Sequence, residues 1–499
     1  MNTAELEQVC GAAFDALGGG QEEAFIARLD ALGSRVQAAQ APRYWQALGL
    51  LHRATDDGAQ ALAAFDRAVA LAPHDASILN GRAQVRLEIG LDAVDDFERL
   101  LRVAPSAQAM QGMAAALVQA GRTADALAFL DRALEQNPLW GEGHWLASRL
   151  RWQGGDAAGY LASLDRALAR EPRNAALWQL RLSIQMRATF FADALHTIAQ
   201  ARAAMGGQPF LDENEAVALS ETGALDAADR AMAALPPATD LSALLYRMRH
   251  ALRMGRPEQC CTLADPVLRS DAAIYAWSYV SLAWRMLDDP RHAWLEAQPG
   301  LVGTYDLAGT LPMDRLEQVI AGLHASAAHP LEQSVRNGTQ TDGALFARPE
   351  PEIRALRRAV LDACRQHIAA LPADDRAGGD LAHPQLSMPR DRALRFAAAW
   401  SIRLDQKGRH VSHIHPYGWF SSAFYVAVPT DKERGPAPAG WLVLGEPEEG
   451  LGLSLPQLGA VEPKPGRLVI FPSTMWHGTR AFGSGLRMSV AFDIARPPA

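Results

Sequence analysis

The sequence predicts a multidomain protein in two parts, an α-helical repeat superhelix over residues 1–305 and an α+β domain with a jelly-roll core over residues 306–499. Three observations predict it. A chain of 499 residues is too long for one ordinary core. Prolines close similar segments at Pro73, Pro105, Pro138 and Pro172, at intervals of 32, 33 and 34 residues. After about residue 390 the helical spacing gives way to short apolar runs that alternate, as strands do.

Within each repeat, two alanine- and leucine-rich stretches flank a turn signal: Asp57-Gly58, Gly90, Gly121, then Gly154-Gly155. Apolar residues recur at three and four, as in Leu62, Phe65 and Val69, so each stretch reads as a helix buried along one side. Looser units follow in FADALHTIAQARAAM, TGALDAADRAMAALP, MGRPEQCCTLADPVL and DDPRHAWLEAQPG. Seven to nine helical pairs are expected, ending near residue 300. This pattern resembles tetratricopeptide repeats, whose period is 34 residues. A helical pair cannot bury its apolar face alone, so neighbours stack and leave a concave groove, suited to a peptide or protein partner or to service as a spacer or dimerisation surface. Trp140, Trp145, Arg149 and Trp152 read as packing at helical spacing.

Composition changes near Gln298-Pro299-Gly300, and a short helix is expected over 313–325. The polar stretch Gln333, Ser334, Arg336, Asn337, Gly338, Thr339, Gln340 and Thr341 has neither period and reads as an ordered loop. A helix is expected over 350–371, with Pro349 and Pro351 at its start. Strands are expected over Phe396–Asp405, at the segment SHIHPYGWFSSAFYVAVP, over Trp441–Leu444 and Arg467–Phe471, and from Arg487 onward.

A net charge of -8 with no lysine or arginine run gives nucleic-acid binding no electrostatic support. Acids occupy the start of the chain where a signal peptide would carry base, and no apolar run reaches membrane-span length, so a cytoplasmic protein without membrane attachment is expected. Cys10, Cys260, Cys261 and Cys364 are scattered and read as small buried filler.

The chemistry gathers near the C-terminus. In an extended chain His413 and His415 project from one face while Ile414 projects from the other, so the two imidazoles can grip one metal. His477 ends a second apolar run, and Arg487 opens the strand ten residues later. Ser489 shares a face with Arg487, while Met488, Val490, Phe492 and Ile494 face a core. The other eleven histidines, His410 included, read as ordinary core or surface residues.

The segments QSVRNGTQT, HIHP and FPSTMWH together resemble the double-stranded β-helix oxygenases that use Fe(II) and 2-oxoglutarate, in particular a bacterial branch often found behind tetratricopeptide repeats. The resemblance covers about residues 313–499. It implies an oxygenase, with His413, His415 and His477 holding Fe(II) and Arg487 and Ser489 binding the far carboxylate of 2-oxoglutarate. Tyr425 is a further candidate for contact with the co-substrate, and ascorbate is a candidate reductant. Three facial ligands leave positions open for co-substrate and oxygen.

One departure stands out: the usual second ligand is the aspartate of H-x-D, and His415 stands there. Three readings follow: a three-histidine site, a second ligand displaced beside the metal, or a site that has lost its chemistry. The functional expectations are a hydroxylase acting on a peptide or protein side chain or on a small molecule, a three-histidine dioxygenase that does not use 2-oxoglutarate, and a repeat scaffold whose barrel only binds.

Overall fold

The computed structural model describes residues 3–33, 40–324, 335–341, 344–374 and 378–497. Two helices, Thr3–Asp15 and Glu22–Asp30, open the described chain, and eight helical pairs run from Pro42 to Glu296. The local chemistry explains where these helices start and stop. Asp75, Ser106 and Asn174 cap the helices that begin at Ala76, Ala107 and Ala175, each accepting a backbone N–H bond from the first turn. Pro73, Pro105, Pro138 and Pro172 each follow directly on the residue that caps a helix C-terminus, where the chain cannot go on helically. Gly90, Gly121 and Gly155 turn with φ of +79°, +75° and +89°, a region closed to most side chains.

Within the array, small residues let helices approach. A Cβ on Gly81 would lie 2.2 Å from the Phe65 ring, and one on Gly112 would lie 2.1 Å from the Phe97 ring. The same contact therefore recurs one unit on. Trp140 and Trp145 are buried and Trp152 packs against Tyr160 and Phe190, so all three are packing residues. Cys10, Cys260 and Cys364 are buried and Cys261 half-buried, all four as free thiols. Among the described residues no helix is long and apolar enough to cross a membrane.

Among the described residues the C-terminal part is built on a curled antiparallel sheet of nine strands: β1 (Gly303–Asp306), β2 (Val335–Gln340), β3 (Phe396–His413), β4 (Gly418–Ala427), β5 (Leu442–Leu444), β6 (Gly459–Val461), β7 (Arg467–Pro472), β8 (His477–Thr479) and β9 (Arg487–Ala495). Their order is β1-β7-β4-β9-β3-β8-β5-β6, with β2 on β3. β3 joins the two halves, because its first part pairs with β9 and its last residues pair with β8. One face of the large half packs on helix Pro351–Ala369 through Phe420, Phe424, Val490 and Phe492. The helix that begins at Met313 ends at Ala321.

Two expectations are corrected. Residues 335–340, read as a loop, form strand β2. Asn337 at φ +54° and Gly338 break its register on β3, which hides the strand period from the sequence. Gln333 and Ser334 lie outside the described residues. Second, the run ending at Asp405 continues to His413 as one element, because Lys407 at φ +59° and Gly408 bend β3 without ending it, while the segment expected as one histidine strand breaks after His413 and resumes as β4 at Gly418.

Both ends of the helical array touch the C-terminal part. Arg395 bonds Glu22 at 2.8 Å and Glu23 at 2.5 Å, and Arg357 bonds Asp56 at 3.1 Å. At the other end Trp476 and Leu451 enter the core formed by Trp277, Val280 and Trp284. Because Phe97 is fully buried, Phe97→Ala should destabilise the array by about 3–5 kcal/mol, read from urea unfolding followed by helical circular dichroism. A loss below about 1 kcal/mol would contradict the packing described.

Candidate functional site

Antiparallel register builds the site. β3 ends at His413, directly opposite His477 at the head of β8, and two residues on the chain presents His415 on the same side. Ligand atoms of the three imidazoles lie within 4.8 Å of one another, so the three rings could hold one metal ion. Their ring centroids are 4.3 Å (His413–His477), 5.0 Å (His413–His415) and 5.0 Å (His415–His477) apart.

Each ring is oriented through Nδ1. His413 donates to Val411 O at 2.8 Å, and His477 donates to Met475 O at 3.0 Å. His415 Nδ1 lies 2.8 and 2.9 Å from the two carboxylate oxygens of Asp493. A proton on Nδ1 leaves Nε2 as the free lone pair, the form in which imidazole binds a metal. The Asp493 carboxylate, only 8% exposed, also accepts a hydrogen bond from Ser421 Oγ at 2.6 Å.

Electrostatics favours the neutral form of His413 and His477. Burial, reinforced by the neighbouring His415, pushes His413 down to about 3, and burial with the His413 and His415 rings holds His477 well below the ordinary histidine value. His410 is lowered for the same first reason. It lines the cavity, with its ring centroid 5.8 Å from that of His413, outside the converging trio.

The three histidines open on a cavity of about 550 Å³ whose walls include Trp400, Phe471, Arg487, Ser489 and Asp493. Arg487 is 3% exposed, its Nε has no hydrogen-bond partner, and no carboxylate pairs with it among the described residues. Its guanidinium carbon stands 5.0 Å from the centre of the Tyr425 ring. Tyr425 itself is fully buried beneath the arginine and is not among the residues lining the cavity. At the mouth Tyr417 is 74% exposed and meets Tyr275 of the helical array edge-on at 5.8 Å.

Asp493 is the residue that sequence reading passes over. The signal was present: alternation from Arg487 and Ser489 runs on through Ala491 to Asp493 on the cavity face. Its hydrogen-bond partner Ser421 lies 72 residues away, and no local pattern joins the two.

Two outcomes test this description. In the folded protein His413 stays neutral down to about 3, whereas an unfolded histidine takes up its proton near 6.5. Between those values the unfolded chain binds more protons, so this stability is complete above about pH 6.5 and is lost as pH falls towards 3. The melting temperature of metal-free protein should fall from about pH 7 to about pH 4, less steeply in His413→Asn; equal slopes would contradict the burial. Asp493→Asn should weaken Co(II) binding about 10- to 100-fold in a competitive titration, and unchanged affinity would show that the carboxylate contributes nothing to the His415 donor.

Residues 398–493 match the family model described as "Putative 2OG-Fe(II) oxygenase". No curated protein matches the sequence. Among solved structures, the chain is similar to a Pseudomonas putida prolyl-4-hydroxylase, at 16% identity and a TM-score of 0.25, over 42% of this chain and 96% of that one. It is also similar to a tetratricopeptide repeat protein from Parabacteroides merdae, at 16% identity and a TM-score of 0.28, over 56% of this chain and 98% of that one. A third likeness is to a thermophilic TPR protein from Thermus thermophilus, at 23% identity and a TM-score of 0.24, over 36% of this chain and 99% of that one. The chain joins an array of helical pairs to a C-terminal strand-rich part, and the match to the 2OG-Fe(II) oxygenase model lies within that second part.

Proposed function

We propose that this protein is an Fe(II)- and 2-oxoglutarate-dependent dioxygenase of the hydroxylase type, acting on a peptide or protein side chain or a small molecule. The observation that carries the reading is a buried arginine, paired with no carboxylate among the described residues, in the wall of the cavity onto which three imidazoles converge. An unpaired buried cation is costly, and a dicarboxylate with one end at the imidazoles would relieve it. Residues 1–305 and 306–499 are proposed as the two domains, the first recruiting substrate or partner, and the cytoplasm as the place of action. β1, which begins at Gly303, already belongs to the sheet.

The residues present fit the group. His413, His415 and His477 offer three nitrogen donors with their Nδ1 positions already engaged. When bound, Fe(II) supplies oxygen activation coupled to decarboxylation of 2-oxoglutarate to succinate and carbon dioxide. The chain's own contribution is positional. Arg487, with Ser489 beside it on β9, takes the distal carboxylate in a charge-assisted bond, and Tyr425 supports the guanidinium from below. Asp493 holds the His415 proton at Nδ1 and brings a negative charge next to a donor set that has none. Trp400, Ile402 and Phe471 line the cavity with apolar surface, which keeps water from the reacting centre. Tyr417, exposed at the mouth, is placed to meet substrate.

A second reading, a three-histidine dioxygenase that does not use 2-oxoglutarate, is favoured by one observation: the Asp493 carboxylate in the cavity wall is turned to an imidazole, so all three converging donors are neutral. One assay separates the two. Incubation with Fe(II), ascorbate and labelled 2-oxoglutarate should yield succinate, and His477→Ala should abolish it. Arg487→Ala should raise the 2-oxoglutarate concentration needed for half-maximal turnover roughly 10- to 100-fold. Metal-dependent oxygen uptake without succinate would transfer the proposal to the second reading; no metal-dependent uptake would refute both.

A further inference from the structure

Each of the two segments that bring histidines to the cavity has an alternate face, and on both that face is packed against the helical array. Trp476, immediately before His477, shares a core with Trp277, Val280 and Trp284 of the array, and Ile414, between His413 and His415, packs against that same core. Trp476 is 2% exposed and meets Tyr279 edge-on at 6.0 Å. The contact is hydrogen-bonded as well as apolar: Ser278 Oγ donates to Thr474 O at 2.6 Å, and Trp476 Nε1 donates to Ser278 O at 3.0 Å. One array residue therefore grips residues 474 and 476 together.

Between those two gripped residues stands Met475, whose carbonyl accepts the Nδ1 proton of His477 at 3.0 Å. Just before them, Ser473 O accepts the backbone N–H of His415 at 3.0 Å. The segment that carries one imidazole's acceptor thus also ties down the backbone of another. Trp476 O in turn accepts from Gly445 N at 2.6 Å, next to the strand paired with β8.

We infer that Ser278 and Trp476 are positioning residues of the metal centre, so that the last helical pairs of the array are a built-in part of the site in addition to any recruiting role. The inference rests on the metal reading proposed above. The path is short and named: Ser278 fixes residues 474 and 476, these fix the Met475 carbonyl, and the carbonyl fixes the His477 ring. A ring free to turn about its last bond presents Nε2 to the metal only part of the time. Outer partners that orient a ligand in this way are worth about 10- to 100-fold in metal affinity.

The test uses the full-length chain and Co(II) alone, read by competitive titration and by the visible d–d absorption of the bound ion. Ser278→Ala removes the hydroxyl donor, and Trp476→Phe removes the indole N–H while keeping a ring in the core. Arg395→Ala loosens the opposite end of the same array, where Arg395 meets Glu22 and Glu23. Ser278→Ala and Trp476→Phe should each weaken Co(II) binding about tenfold or more and alter the absorption bands, with helix content unchanged. Arg395→Ala should leave both readings as they are in the parent protein. Parent-like affinity and bands in either Ser278→Ala or Trp476→Phe would overturn the inference while leaving the metal reading in place. Equal weakening in all three variants would overturn it as well, because general loosening would then suffice. If the parent protein binds no Co(II), the metal reading itself fails and takes this inference with it.

Discussion

The antiparallel register of β3 on β8 is the constraint on which the rest of the site depends. It sets His413 opposite His477, and a slip of one residue would leave the two side chains on opposite faces. β3 can hold that register only because its first part is anchored along β9 from Phe396 to Leu404, while the bend at Lys407 and Gly408 aims its end at β8. The same pairing places Arg487 opposite Leu404, in the wall of the cavity that the histidines open on. Long-range pairing, not the local H-x-H spacing, makes a three-donor site out of residues more than sixty apart.

Two buried charges give that site its character. Asp493 is paired inward, with both oxygens on His415 and one bonded by Ser421, so its charge is already committed within the protein. Arg487 is buried without an anionic partner among the described residues, and its Nε is unbonded. A folded protein tolerates such a cation at a cost, and the cost is recovered where an anionic ligand completes the pair. His415 stands where the resemblance implies an aspartate, and a carboxylate is present one imidazole further out, on β9.

Much of this was legible in the sequence because it rests on short periods. The proline interval marked the helical units, and strand alternation put His413 with His415 and Arg487 with Ser489. What stayed hidden depends on contacts between distant residues or on broken periods. The β2 strand escaped because Asn337 and Gly338 interrupt its register, leaving polar residues without alternation. Asp493 lay on a face already identified, yet only its pairing with a histidine 78 residues earlier gives it meaning. The grip of Ser278 on Trp476 spans 198 residues, and a buried tryptophan beside a histidine looks the same in sequence whatever covers it.

The proposed metal ion is held by three imidazoles, His413 at the end of β3, His415 just beyond it and His477 at the head of β8. X-ray absorption at the metal edge of protein loaded with one equivalent of Fe(II) measures this most directly. The account predicts three imidazole nitrogens at about 2.0–2.2 Å, with multiple-scattering features of rings bound through Nε2. A first shell of oxygen alone, or one imidazole at most, would contradict it.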